Sequence, residues 1–132
     1  MRWSEFVGRV RECGRYATDA ETQQVIRIVL SALGGHLGDG IRAEIAGELP
    51  ATASETLTYQ LPATKPLTAS QFVESVAQRI EGATPATARW DVSSVLSVLA
   101  DLCGDELSDR VLASLPPGYA LLFGRGELTN AA

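Results

Sequence analysis

His36 is the only histidine in the chain, and it lies in a glycine-rich run, Gly34-Gly35-His36-Leu37-Gly38-Asp39-Gly40. Such a run cradles phosphate when it follows a strand and ends in Lys-Ser or Lys-Thr, so that backbone N–H groups and a lysine converge on the anion. This one has neither feature, and it predicts no phosphate site. A zinc site needs several His or Cys ligands close together. With one histidine and two scattered cysteines, Cys13 and Cys103, neither a metal nor a cofactor is expected. His36 reads as an ordinary residue near a helix end, favoured by the helix dipole when protonated.

Several carboxylates pair by helical spacing: Asp101 with Asp105, Glu44 with Glu48, and Asp105 and Glu106 with Asp109. General acid–base catalysis needs two carboxyls in different environments, one of them desolvated. These acids fall at helix starts and on polar faces, where solvent accounts for them. A ferritin-like centre would need inward-facing Glu and Glu-x-x-His, which is absent. No Gly-x-Ser-x-Gly elbow surrounds any serine. Arg9, Arg11 and Arg15 form a modest basic face, diluted by Glu5 and Glu12. No catalytic residue is assigned, and the expectation is a protein that is not an enzyme.

Charge narrows the partners. The net charge is −5, with residues 1–66 carrying seven basic and eight acidic side chains and residues 67–132 carrying four and eight. Nucleic acid and anionic membranes both require clustered Lys and Arg, so neither is an expected partner. No apolar run approaches the length of a membrane span. The start, with Arg2, Trp3 and Glu5, lacks the apolar stretch of a secretory signal. Two cysteines without CxxC spacing read as reduced thiols, and the expected location is cytoplasmic.

The elements that would position these residues come in two copies. A shift of 66 positions sets Ser4-x-Phe6-Val7-x-x-Val10 on Ser70-x-Phe72-Val73-x-x-Val76. It also sets Ala17-Thr18-x-Ala20 on Ala83-Thr84-x-Ala86, and Val29-Leu30-Ser31-x-Leu33 on Val95-Leu96-Ser97-x-Leu99. Gly38-Asp39 then meets Gly104-Asp105, and Leu49-Pro50 meets Leu115-Pro116. Composition alone does not hold caps, prolines and apolar positions in one register, so the reading is a tandem duplication.

Each copy reads as helices. Trp3, Phe6, Val7 and Val10 follow the i, i+3, i+4, i+7 rule, as do Ala69, Phe72, Val73, Val76 and Ile80. Ser4 is expected to start the first helix, and Gly14 and Gly82 to stop the two first helices. Thr18 and Thr84 are expected N-caps, the first in a T-x-x-E box with Glu21 and the second before Pro85. The second helices carry Ile26, Val29, Leu30 and Leu33, or Val92, Val95, Leu96 and Leu99. Their wide apolar sectors predict central positions, with Leu30 and Leu96 fully buried. Asp39 and Asp105 are expected to cap third helices that bury Ile45 and Val111. Pro50 and Pro116 open short fourth helices reaching Leu57 and Phe123.

The expected fold is therefore all-α: a single domain, 1–132, of two tandem four-helix units sharing one core about a pseudo-twofold axis, eight helices in all. Unit one spans about residues 1–57 and unit two about 68–123. Residues 58–67 form an extended linker with two prolines, and residues 124–132 a fraying tail. The opening Trp3-Ser-Glu-Phe6-Val-x-Arg-Val10, the Thr-capped apolar helix, the Leu49-Pro50 break and the close on Tyr119 and Phe123 carry a resemblance. Over residues 1–123 the chain resembles the bacterial family catalogued as domain of unknown function 2267. The resemblance supports the fold and brings no activity and no catalytic residues.

One residue breaks the repeat. Trp90 stands where the first unit has Gln24, and a helix turning 100° per residue points it away from Val92, Leu96 and Leu99. Two accounts are open: the linker at Leu61-Pro62 or the segment with Leu121 covers the ring, or Trp90 anchors a partner. The functional expectation is a non-catalytic protein-interaction module, either a homodimer or the binder of another protein, with Trp90 as the candidate contact. The alternative is a small-molecule sensor with a pocket between the two units.

Overall fold

The computed structural model describes residues 1–125, and all regular structure among them is helical. The helices are α1 (Trp3–Gly14), α2 (Asp19–Gly34), α3 (Asp39–Gly47), α4 (Ala51–Thr58), α5 (Ala69–Ala77), α6 (Pro85–Ser114) and α7 (Tyr119–Leu122). Among the described residues seven are numbered where eight were expected, because the segments before and after Gly104 meet without an intervening loop and are counted together as α6.

The reason lies at Gly104. Its φ of 79° and ψ of 171° break the helical path, yet the two segments stay joined across it. The Ser108 hydroxyl reaches over the break to the Ala100 carbonyl, at 3.2 Å. In the earlier half the Arg42 guanidinium makes the corresponding bridge to the Gly34 carbonyl, at 3.0 Å, across a longer gap between α2 and α3. Both bridges span eight residues, and both reach a carbonyl near a helix end.

The starts of α2 and α6 follow the sequence closely. Thr18 accepts from the Glu21 N–H at 3.1 Å, and Thr84 accepts from the Thr87 N–H ahead of Pro85. Other ends differ from expectation. Arg2, not Ser4, is the residue before α1. Gly38 rather than Asp39 precedes α3, and Asp39 sits in the first turn paired to Arg42. Asp105 pairs with Arg125 instead of capping. α5 ends at Ala77, and i−3 turns continue the chain until Gly82 takes a φ of 76°. Asp39 and Asp105 each have a nearby cation, which competes with the capping role.

The core joins all parts of the chain. Leu30 and Leu96 are fully buried, as are Phe6, Phe72, Ile26, Val92, Val29 and Val95. α2 packs on α1 and α4 but also on α5 and α6, while α6 packs on α1, α2 and α3 besides α5 and α7. The two long helices are thus central. Each also touches the other half's first helix.

Residues 59–68 cross from α4 to α5 without helix, and two contacts hold them down. The Ala63 N–H donates to the Gly35 carbonyl at 2.8 Å, and the Tyr119 hydroxyl donates to the Leu67 carbonyl at 2.9 Å. Chain passes so close here that a Cβ on Gly34 would lie 2.2 Å from the Leu57 oxygen, and one on Gly35 2.7 Å from the Leu61 oxygen. Arg125, inside the expected tail, pairs with Asp105 and Asp109 at 3.0 and 2.9 Å. Residues 126–132 of that expected tail lie outside the described residues.

Candidate interaction site at Trp90

Trp90 lies near the start of α6, beside the end of α1. Its indole N–H donates to the Gly14 carbonyl at 3.0 Å, taking up a helix-end acceptor. α1 stops there because Arg15 turns into the left-handed region, with φ 56° and ψ 42°. The turn folds the Tyr16 ring back over Gly14, where a Cβ would meet the ring at 2.2 Å and the Ser94 hydroxyl at 2.9 Å. Glycine at position 14 is therefore needed for close approach. Arg11 fixes the far side of the turn, bonding the Tyr16 and Ala17 carbonyls and the Asp19 carboxylate.

Beneath Trp90 the Tyr16 hydroxyl donates to Asp91 at 2.5 Å, and the Ser94 hydroxyl donates to the Trp90 carbonyl at 2.8 Å. Burial, and then the hydrogen bond to Asp91, push the Tyr16 phenol well above its ordinary range. Burial also raises the Asp91 carboxyl, with Glu21 adding and the Tyr16 bond opposing. The phenol remains a donor at neutral pH, and the half-buried carboxylate needs it. Together these bonds clamp α6 to α1.

The clamp leaves the ring itself in solvent. Trp90 is 54% exposed. The residues expected to cover it, Leu61 and Leu121, are themselves 89% and 55% exposed. Its single polar atom is bonded inside the protein, so what faces outward is an apolar ring in a fixed pose.

The other residues singled out in the sequence are placed as follows. His36 is half-buried and meets Phe72 edge-on at 5.9 Å. Burial, and then Arg79, lower its pKa, so protonation at the helix end is opposed rather than favoured. It lines a notch of about 240 Å³ with Gly35, Lys65, Ser114 and Tyr119. Glu44 is gripped by Arg110 rather than coupled to Glu48. Of the basic face, Arg11 is committed to the α1–α2 turn. Both cysteines are free, and burial, with Glu48 adding, pushes the Cys103 thiol up to about 11. Among the described residues no three His, Cys, Asp or Glu side chains gather to hold a metal, and no helix is long and apolar enough to cross a membrane.

Sequence reasoning missed the Tyr16–Asp91 bond and the Glu44–Arg110 pair. The first left no local signal, since its partners are 75 residues apart. The second did leave one: opposite charges 66 positions apart, the shift at which the sequence aligns on itself.

The architecture is that of an all-helical protein with an exposed indole ring anchored by its N–H. The family profile described as "Uncharacterized conserved protein (DUF2267)" matches residues 3–122, and the chain belongs to that family. A comparison with curated proteins matched no relative.

Proposed function

We propose that the chain is a non-catalytic helical interaction module, built from two related four-helix units about a pseudo-twofold axis, and that Trp90 anchors its protein partner. The observation that carries this reading is the state of Trp90: 54% exposed, with its N–H already bonded to Gly14. A ring held in one pose loses little entropy on binding, and with no free donor it brings no desolvation penalty. Interface hot spots are enriched in tryptophan.

The two-unit reading is supported by matched devices 66 residues apart. Thr18 and Thr84 cap equivalent helices, and Arg42 and Ser108 bridge equivalent breaks, the latter from Gly34 and Ala100 as acceptors. α1 packs on α6 as α2 packs on α5, the exchange a twofold relation produces. The reading includes a cytoplasmic setting, supported by two free cysteines. The sensor alternative, which places its pocket between the two units, is less well supported. The notch at His36, lined from both halves, holds about 240 Å³, below the roughly 300 Å³ at which small-molecule sites begin.

The partner is another protein or a second copy, which would meet this face across a twofold axis. Sedimentation of the pure chain and capture from its native lysate, each with Trp90→Gln and Trp90→Phe, test the reading. Trp90→Gln loses association and, with the bond to Gly14 gone, some stability, while still folding. Trp90→Phe, which keeps a ring but not the N–H, loses part of both. Unchanged association in Trp90→Gln with a large fall in melting temperature would leave Trp90 as a clamp alone.

A further inference from the structure

We propose that the open groove between α5, the start of α6 and α7 binds a small planar aromatic molecule of indole size carrying a ring N–H. The groove encloses about 640 Å³, within the roughly 300–1,000 Å³ of small-molecule sites. Ala69, Val73, Ala86 and Leu121 give it apolar walls, with Glu74 and Arg89 as the charged residues. Both charged side chains are exposed, and neither has an ion-pair partner among the described residues.

The first half shows what such a groove accepts. The residue 66 places before Ala69 is Trp3. Its ring packs on Phe6 with centroids 6.2 Å apart, and the Arg27 guanidinium stands 5.7 Å above it. Phe6 in turn corresponds to Phe72, which is fully buried beneath the second half. Where one half carries its own indole, the other has a methyl group and open volume. The inference rests on the two-unit reading for this correspondence.

Charge completes the match. Arg27 corresponds to Ser93, so the second half lacks that cation, but Arg89 lies one turn earlier on the same helix. An electron-rich ring face attracts a guanidinium. Glu74, which replaces Gly8 of the first half, supplies an acceptor for a ring N–H.

Indole itself is the probe, titrated into the full ¹⁵N-labelled chain. The expected result is saturable shifts at the amides of Ala69, Val73, Ala86 and Leu121. Ala69→Trp, which supplies the missing ring, weakens indole binding at least tenfold and melts no lower than wild type. Arg89→Ala touches an exposed residue and keeps the fold whatever Ala69→Trp does; it weakens indole severalfold. Trp90→Gln leaves indole affinity unchanged, which separates this site from the partner contact. No saturable shifts, or equal affinity in Arg89→Ala, overturns the ligand. A destabilised Ala69→Trp instead overturns the correspondence with Trp3. Should Ala69→Trp and indole both dissociate a dimer that Trp90→Gln leaves intact, the groove belongs to a second copy and the small-molecule assignment falls.

Discussion

Arg110 grips Glu44 with both terminal nitrogens, at 2.7 and 2.6 Å, and the two residues are 66 apart in the chain. In the proposed repeat they are one position met twice. Like positions meet only where a twofold axis passes between them, and identical charges there would repel. Opposite charges turn that conflict into a bidentate bond. Arg110→Glu is expected to lower the melting temperature, and adding Glu44→Arg to recover most of it. A double-mutant cycle at low salt checks the coupling, which screening weakens at high salt. The Glu44 carboxyl is held below its ordinary value of 4.5, chiefly by the hydrogen bond from Arg110. A depressed acid stabilises the fold above its unfolded pKa, so the coupling is full above pH 4.5 and fades as pH falls through the lowered value.

Leu30→Ala and Leu96→Ala should each cost about 2–5 kcal/mol, because both side chains are fully buried on the central helices. Urea unfolding of the two single variants measures this. A near-wild-type midpoint for either would mean that its helix is rotated away from the core.

Asp91 behaves in the opposite sense to Glu44. Burial raises its pKa above the ordinary 3.8, so folding favours the protonated acid and stability declines as pH rises from 3.8 through the raised value. Asp91→Asn keeps an acceptor for Tyr16 without the charge. It is expected to be more stable than wild type at neutral pH, with the gain vanishing near pH 3.8 and below. Tyr16→Phe leaves the half-buried carboxylate without its donor and should cost about 1–3 kcal/mol at pH 7. Thermal melts across pH for the three proteins distinguish these outcomes.

Glycines separate by surroundings. Gly34→Ala drives a Cβ to 2.2 Å from the Leu57 backbone oxygen, and should destabilise by about 1–3 kcal/mol. Gly8→Ala, in α1 with nothing within 4 Å, should stabilise by roughly 0.5–1 kcal/mol. Opposite signs in chemical denaturation are the check.

These cases also show what was legible beforehand. Leu30 and Leu96, the Thr18 and Thr84 caps and the Pro50 break act through neighbours within a turn or two, so periodicity and spacing disclosed them. Gly34 and Gly35 were visible as a run, but their cause was not. It is the end of α4 at Leu57 pressing on Gly34 and the linker backbone at Leu61 pressing on Gly35, contacts made only after the chain returns. Gly104 reads as a helix stop, and its φ of 79° and ψ of 171° do break the helical path there; the Ser108 bridge across the break depends on side-chain geometry and was not legible. Trp90 was flagged by its mismatch with Gln24, whereas its bond to Gly14, 76 residues away, required the fold.

The strap of residues 59–68 has a consequence for how the two halves find each other. Because α1 rests on α6 and α2 on α5, neither half completes its apolar surface without the other. Separate halves would meet by diffusion at cellular concentration. Tethered by so short a connection, they face each other at an effective concentration on the order of millimolar. Their docking then becomes a first-order event, independent of how much of the protein the cell contains. A chain cut within 59–68 would lose that independence, and its folding would become dependent on dilution.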